Sequence, residues 1–99
     1  MLTGKQRANL RKCSNSLDTI FQIGKGGIEQ PLIKQVDEAL EARELIKLRV
    51  LPETSSVTAK EAAEVLSAAT NSDVIQVIGS RFVLYRRNSK KPKFDDCLV

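Results

Sequence analysis

Apolar and polar positions along this chain change period several times, and each change marks an element. Behind Thr3, Leu10, Cys13 and Leu17 recur at helical spacing. That predicts a first helix over residues 4–15 with Thr3 as its cap and one side facing a core. Lys5, Arg7, Arg11 and Lys12 fall elsewhere around it. The turn-rich Ser14-Asn15-Ser16 closes the helix. Residues 19–23 form an apolar run that reads as a short buried strand, ending in Gly24-Lys25-Gly26-Gly27. Beyond it Ile28, Leu32, Val36 and Leu40 lie four apart, and Ile33 and Ala39 widen the stripe. This is the buried face of a second helix, starting near Glu29 or Pro31 and running to about Ala42. Pro31 is tolerated there because the first helical N–H has no partner in the helix to lose.

Over residues 45–51 the period drops to two. Ile46, Leu48 and Val50 point one way while Lys47 and Arg49 point the other, as in a half-buried strand that Pro52 stops. Thr58 with Glu61 three positions on is a capping box for a third helix, with Ala62, Leu66 and Ala69 as its buried stripe and Asn71 as a left-handed terminator. Residues 74–78 and 81–86 read as two strands joined by Gly79-Ser80, a pair suited to a type II′ hairpin. After Arg87 periodicity ends, and residues 88–99 are expected to form a basic, largely disordered tail. The predicted order is α-β-α-β-α-β-β in a single compact α/β domain over residues 1–87. Its four-stranded mixed sheet pairs the first two strands in parallel and the last two as a hairpin.

Charge sharpens this picture. The chain has 99 residues, 16 Lys and Arg against 12 Asp and Glu, and a net charge of +4. Residues 1–13 and 81–93 together hold ten of the basic residues and none of the acids. The stretch between them is acidic on balance. A fold that joins the two basic segments would present one basic surface to a polyanion. No apolar run is long enough for a membrane span, and no signal peptide opens the chain. Two distant cysteines without an export signal point to a reduced, cytoplasmic setting.

The chemistry available is narrow. There is no histidine, which removes Ser-His and Cys-His nucleophiles and most mixed zinc sites. Asp37 and Glu41 are expected on a solvated helix face rather than as catalytic acids. Cys13, on the first helix's stripe, reads as a free, core cysteine. Tyr85 is expected to pack rather than stack on a base. No metal, cofactor or small-molecule substrate is expected.

The glycine turn has three readings. It can be a bare connection that needs positive φ. A nucleotide site fits poorly, because a P-loop requires Lys and Ser or Thr directly after its last Gly, where this chain has Ile28-Glu29. A Gly-x-x-Gly loop gripping a nucleic-acid backbone, as in KH-like modules, fits Gly24 and Gly27, with Lys25 adding charge and Gly26 permitting close approach.

Several separated motifs then extend the match. Leu2-Thr3-Gly4-Lys5-Gln6-Arg7 with Leu10-Arg11, Ile23-Gly24-Lys25-Gly26-Gly27, Ala39-Leu40, Glu44-Leu45-Ile46-Lys47, and Gln76-Val77-Ile78-Gly79 followed by Val83-Leu84-Tyr85-Arg86 resemble, in order and spacing, the CRM domain and its YhbY-like single-domain members. The resemblance implies a sheet flanked by helices, akin to the C-terminal domain of bacterial translation initiation factor three. It also implies RNA binding and, for a stand-alone bacterial member, association with the precursor of the large ribosomal subunit, so ribosomal RNA of that precursor is the expected partner. In that family the RNA-binding loop corresponds to Gly24, Lys25, Gly26 and Gly27, and the basic surface to Lys5, Arg7 and Arg11. Charge alone adds Arg86 and Arg87. The expectation is a monomeric, non-enzymatic RNA-binding protein of large-subunit assembly. The alternatives are a module that docks on ribosomal proteins or assembly factors and, more remotely, a mononucleotide-binding enzyme.

Overall fold

The computed structural model describes residues 2–24, 26–51, 53 and 57–87. Three helices and four strands follow the predicted order: α1 (Gly4–Ser14), β1 (Thr19–Ile23), α2 (Gln30–Arg43), β2 (Leu45–Val50), α3 (Ala59–Thr70), β3 (Asp73–Ile78) and β4 (Arg81–Tyr85). Local chemistry sets the boundaries. Thr3 and Thr58 each cap a helix through a full capping box. Thr3 Oγ1 accepts from the Gln6 N–H at 3.1 Å, and Thr58 Oγ1 from the Glu61 N–H at 3.2 Å. Asn71 ends α3 in the left-handed region, at φ 55 and ψ 49. In the β3–β4 turn Gly79 takes φ +57, and Ser80 has no positive φ. A type I′ turn would need positive φ at both positions, so the pair fits the II′ expectation.

The strands lie in the order β1-β2-β4-β3. β1 and β2 are parallel, and the two remaining pairings are antiparallel. α2 and α3 cover one face. There Val36, Leu40, Ile46, Leu48, Val50, Leu66, Phe82 and Leu84 form the main core, nearly all excluded from solvent. Each fully buried Leu or Phe of this kind stabilises the fold by about 1.5–3 kcal/mol. α1 covers only part of the opposite face, where Leu10 packs with Leu45, Ile75, Val83 and Tyr85. Tyr85 is thus a packing residue.

The structure departs from the sequence expectations in four places. β1 is an edge strand, and only Ile23 in it is buried. α3 buries Ala59, Ala62, Ala63, Leu66 and Thr70, while Ala69 is exposed. At about 100° per residue those five span one arc, and Ala69 falls outside its end. Asp37 and Glu41 lie on the outer face of α2, but they grip Arg86 rather than only water. Cys13 is half-buried against the α1 cluster, as expected of a core residue. Finally, α2 passes to β2 through one residue, Glu44, which is fully buried at φ 65. Its carbonyl accepts the Arg86 N–H at 3.0 Å, tying this corner to the end of β4. Periodicity carries no signal for such a corner. Pro52 and the 88–99 tail lie outside the described residues.

Candidate nucleic-acid interface

The glycine turn sits where β1 leaves the sheet. The Leu51 N–H bonds to the Ile23 carbonyl at 2.8 Å, holding the strand end against β2. The Gly27 N–H then closes onto the Gly24 carbonyl at 3.0 Å, with Gly27 at φ 64. Only glycine takes that conformation without a steric cost. Gly26 is exposed, and a Cβ placed on it would come within 3.0 Å of Glu29 Oε1, the far end of a flexible side chain. α2 begins directly afterwards. Its N-cap, Glu29, makes no side-chain capping bond, Pro31 lies in the first turn, and no acid follows within that turn. A helix start of this kind is electropositive, with backbone N–H groups directed outward. Lys25 lies outside the described residues.

The basic side chains expected to join the turn divide into separate places. Lys5 and Arg11 are exposed on α1. Arg7 is partly engaged, because its guanidinium donates to the Val74 carbonyl at 2.6 Å and lies 4.0 Å from Asp73, pinning α1 to β3. Arg86 is engaged more fully. It donates to Asp37 Oδ1 at 2.6 Å, to the Asp37 carbonyl at 3.0 Å, to the Thr70 carbonyl at 2.8 Å and to Glu41 Oε2 at 3.4 Å. Its side chain is only 21% exposed. Arg86 therefore clamps α2 and α3 to the end of β4, on the face opposite α1. Arg87 is exposed just past that strand.

Register explains this division. α1 covers the part of its face that holds Leu45 and Tyr85, whereas the glycine turn follows Ile23, which pairs with Val50 at the far end of β2. Between the two lie basic residues that did not figure among the expected site residues: Lys47, Arg49 and Arg81. Lys47 and Arg49 alternate with the buried Ile46, Leu48 and Val50 and so point to the α1 face. Arg81 joins them through its direct pairing with Arg49. The outward alternation in β2 was visible in the sequence; that Arg81 lands beside it needed the sheet order. Among the described residues no three His, Cys, Asp or Glu side chains are grouped to hold a metal ion, and no helix is long and apolar enough to cross a membrane.

A small α/β domain with a glycine turn at a helix start and a basic sheet face defines a class, and comparison with known proteins assigns the family. The CRS1 / YhbY (CRM) domain model matches residues 2–86, so the chain belongs to that family. The chain is 43% identical over 95 residues to the "Probable RNA-binding protein YqeI" of Bacillus subtilis, covering 96% of this chain and 98% of that protein. It is 36% identical over 100 residues to the "Probable RNA-binding protein MJ0652" of Methanocaldococcus jannaschii, covering 93% and 74%. Its fold matches, with a TM-score of 0.77 and 55% identity over 94% of this chain and 95% of the other, the "Solution structure of the hypothetical protein SAV1595 from Staphylococcus aureus, a putative RNA binding protein".

Proposed function

We propose that this protein binds RNA, and that its RNA is ribosomal RNA of the large-subunit precursor. The observation that carries the reading is the glycine turn. A backbone that closes from Gly24 to Gly27 and opens directly into the start of α2 offers N–H groups and a positive helix end to phosphates. Family membership and the names of its relatives support RNA as the polyanion. Lys25 and the exposed Lys5 and Arg11 add charge, and Arg87 extends it past β4. Binding of this kind is mostly electrostatic and weakly sequence-specific. The protein acts without chemistry, as a monomer in the cytoplasm.

Crosslinking in cells followed by sequencing of the bound RNA tests the reading. Enrichment of large-subunit precursor RNA is the expected result. RNA recovered no more than from a non-binding control would sink it. Co-sedimentation with ribosomal particles that survives complete nuclease digestion would instead favour a protein-docking module.

A further inference from the structure

Beyond the glycine turn and α1, we propose that the open part of the sheet face, centred on Lys47, Arg49 and Arg81, is a second track for the RNA backbone. The proposal rests on the RNA-binding reading and extends it to residues outside the expected site.

Strand pairing places two rows of side chains on this face. One row runs Thr19, Lys47, Val83, Gln76 across all four strands. The next, nearer the glycine turn, runs Gln22, Arg49, Arg81, Ile78. Both rows are free of acids. Lys47, Gln76, Ile78 and Arg81 line one depression together with Asn15, just past the end of α1. The face thus forms a continuous path from the glycine turn, across the two arginines, to the helix that carries Arg11.

Two features make this face costly as a purely structural surface. Arg49 and Arg81 stand directly opposite each other on antiparallel strands, an arrangement in which like charges repel. Arg49 Nε is buried without a hydrogen-bond partner. None of the ion pairs among the described residues involves Lys47, Arg49 or Arg81. Placements that break local rules without internal compensation are expected where a ligand supplies it. A phosphate between the two guanidiniums would relieve the repulsion and accept from both. Alternate residues on a strand lie about 6.7 Å apart, so Lys47 can meet a neighbouring phosphate of the same strand. Ile78, 62% exposed, ends the row with an apolar surface for a base to lie against.

The test uses the full chain and a short fluorescein-labelled oligouridine, with anisotropy followed between about 50 and 200 mM salt. Each phosphate contact on a single strand adds about 0.7 to the log–log salt slope, a factor of about five per contact at 0.1 M relative to 1 M salt. Replacing Lys47, Arg49 and Arg81 together by Gln is expected to weaken binding about 100-fold at 0.1 M and to shallow the slope by about 2. The Tm of this variant should equal or exceed the parent's, because the repulsion is gone. Unchanged affinity and slope, with a Lys5→Gln/Arg11→Gln chain still weakened, would overturn this track while leaving RNA binding intact. A markedly lower Tm would also overturn it, by showing that the three side chains serve the fold. Polyglutamate bound more tightly than oligouridine, and lost in the same variant, would replace RNA with an acidic protein. A parent chain that binds no RNA at all would remove the underlying reading together with this one.

Discussion

Arg86 and Asp37, 49 positions apart, meet in a 2.6 Å charged hydrogen bond that ties the end of β4 to the middle of α2. The same guanidinium reaches the Thr70 carbonyl at the end of α3, so one side chain joins three elements. Arg86→Ala is expected to cost about 2 kcal/mol, the scale of losing hydrogen bonds from a charged donor to partly buried carbonyls. Asp37→Ala should cost less than about 1 kcal/mol, because that carboxylate is more than half exposed. Urea denaturation reads both, as a shift in midpoint at constant slope. Equal costs would mean that the ion pair, not the carbonyl bonds, holds the corner.

The glycine turn separates conformation from access. Gly27→Ala places a side chain at φ 64 and should lower stability by about 1–2 kcal/mol. Gly26→Ala meets only the mobile end of Glu29, so its stability should match the parent's while its RNA affinity falls, since the new methyl group stands off the phosphates. Thermal denaturation and anisotropy on both variants check this. A Gly26→Ala chain that binds normally would place the RNA away from the turn.

Charge at the turn can be tested alone. With about four phosphate contacts at the turn and α1 on single-stranded RNA, log K should fall with log salt at a slope near −3, steepened to near −5 where the three sheet-face cations also engage. Lys25→Asp should weaken binding and shallow that slope without changing the unfolding midpoint. An unaltered affinity would leave the grip to the glycine backbone.

Helix capping gives a stability test remote from the proposed site. Thr58→Ala removes the acceptor of the Glu61 N–H and should cost about 1 kcal/mol. Because the Thr58 hydroxyl also donates to Glu61 Oε1 at 3.1 Å, Glu61→Ala in the Thr58→Ala background should cost less than it does alone. A double-mutant cycle in urea measures the coupling, and strict additivity would mean that the box contributes nothing as a unit.

The fold was legible in the sequence to the extent that its signals are local. Thr3, Thr58, Asn71 and Gly79 mark their boundaries through hydrogen bonds and φ values set within a few residues. The candidate site was legible only in part. Gly24 and Gly27 are neighbours in sequence and close one turn. Arg7 and Arg86, by contrast, looked as free as Lys5 and Arg11, because the partners that engage them are brought in by the fold: Val74 lies 67 positions from Arg7, and Asp37 lies 49 from Arg86.

The sequence by itself determined the elements, their order, the mixed sheet and the glycine turn, since period, capping and turn chemistry act over short distances. Only the tertiary structure decided which basic groups share a surface. The strand order β1-β2-β4-β3 sets Arg81 against Arg49, while β4's exit on the α2–α3 side sends Arg86 into a clamp. Charge is a property of composition. Whether a charge faces a carboxylate, another arginine or open solvent depends on register, and register forms only when distant strands pair.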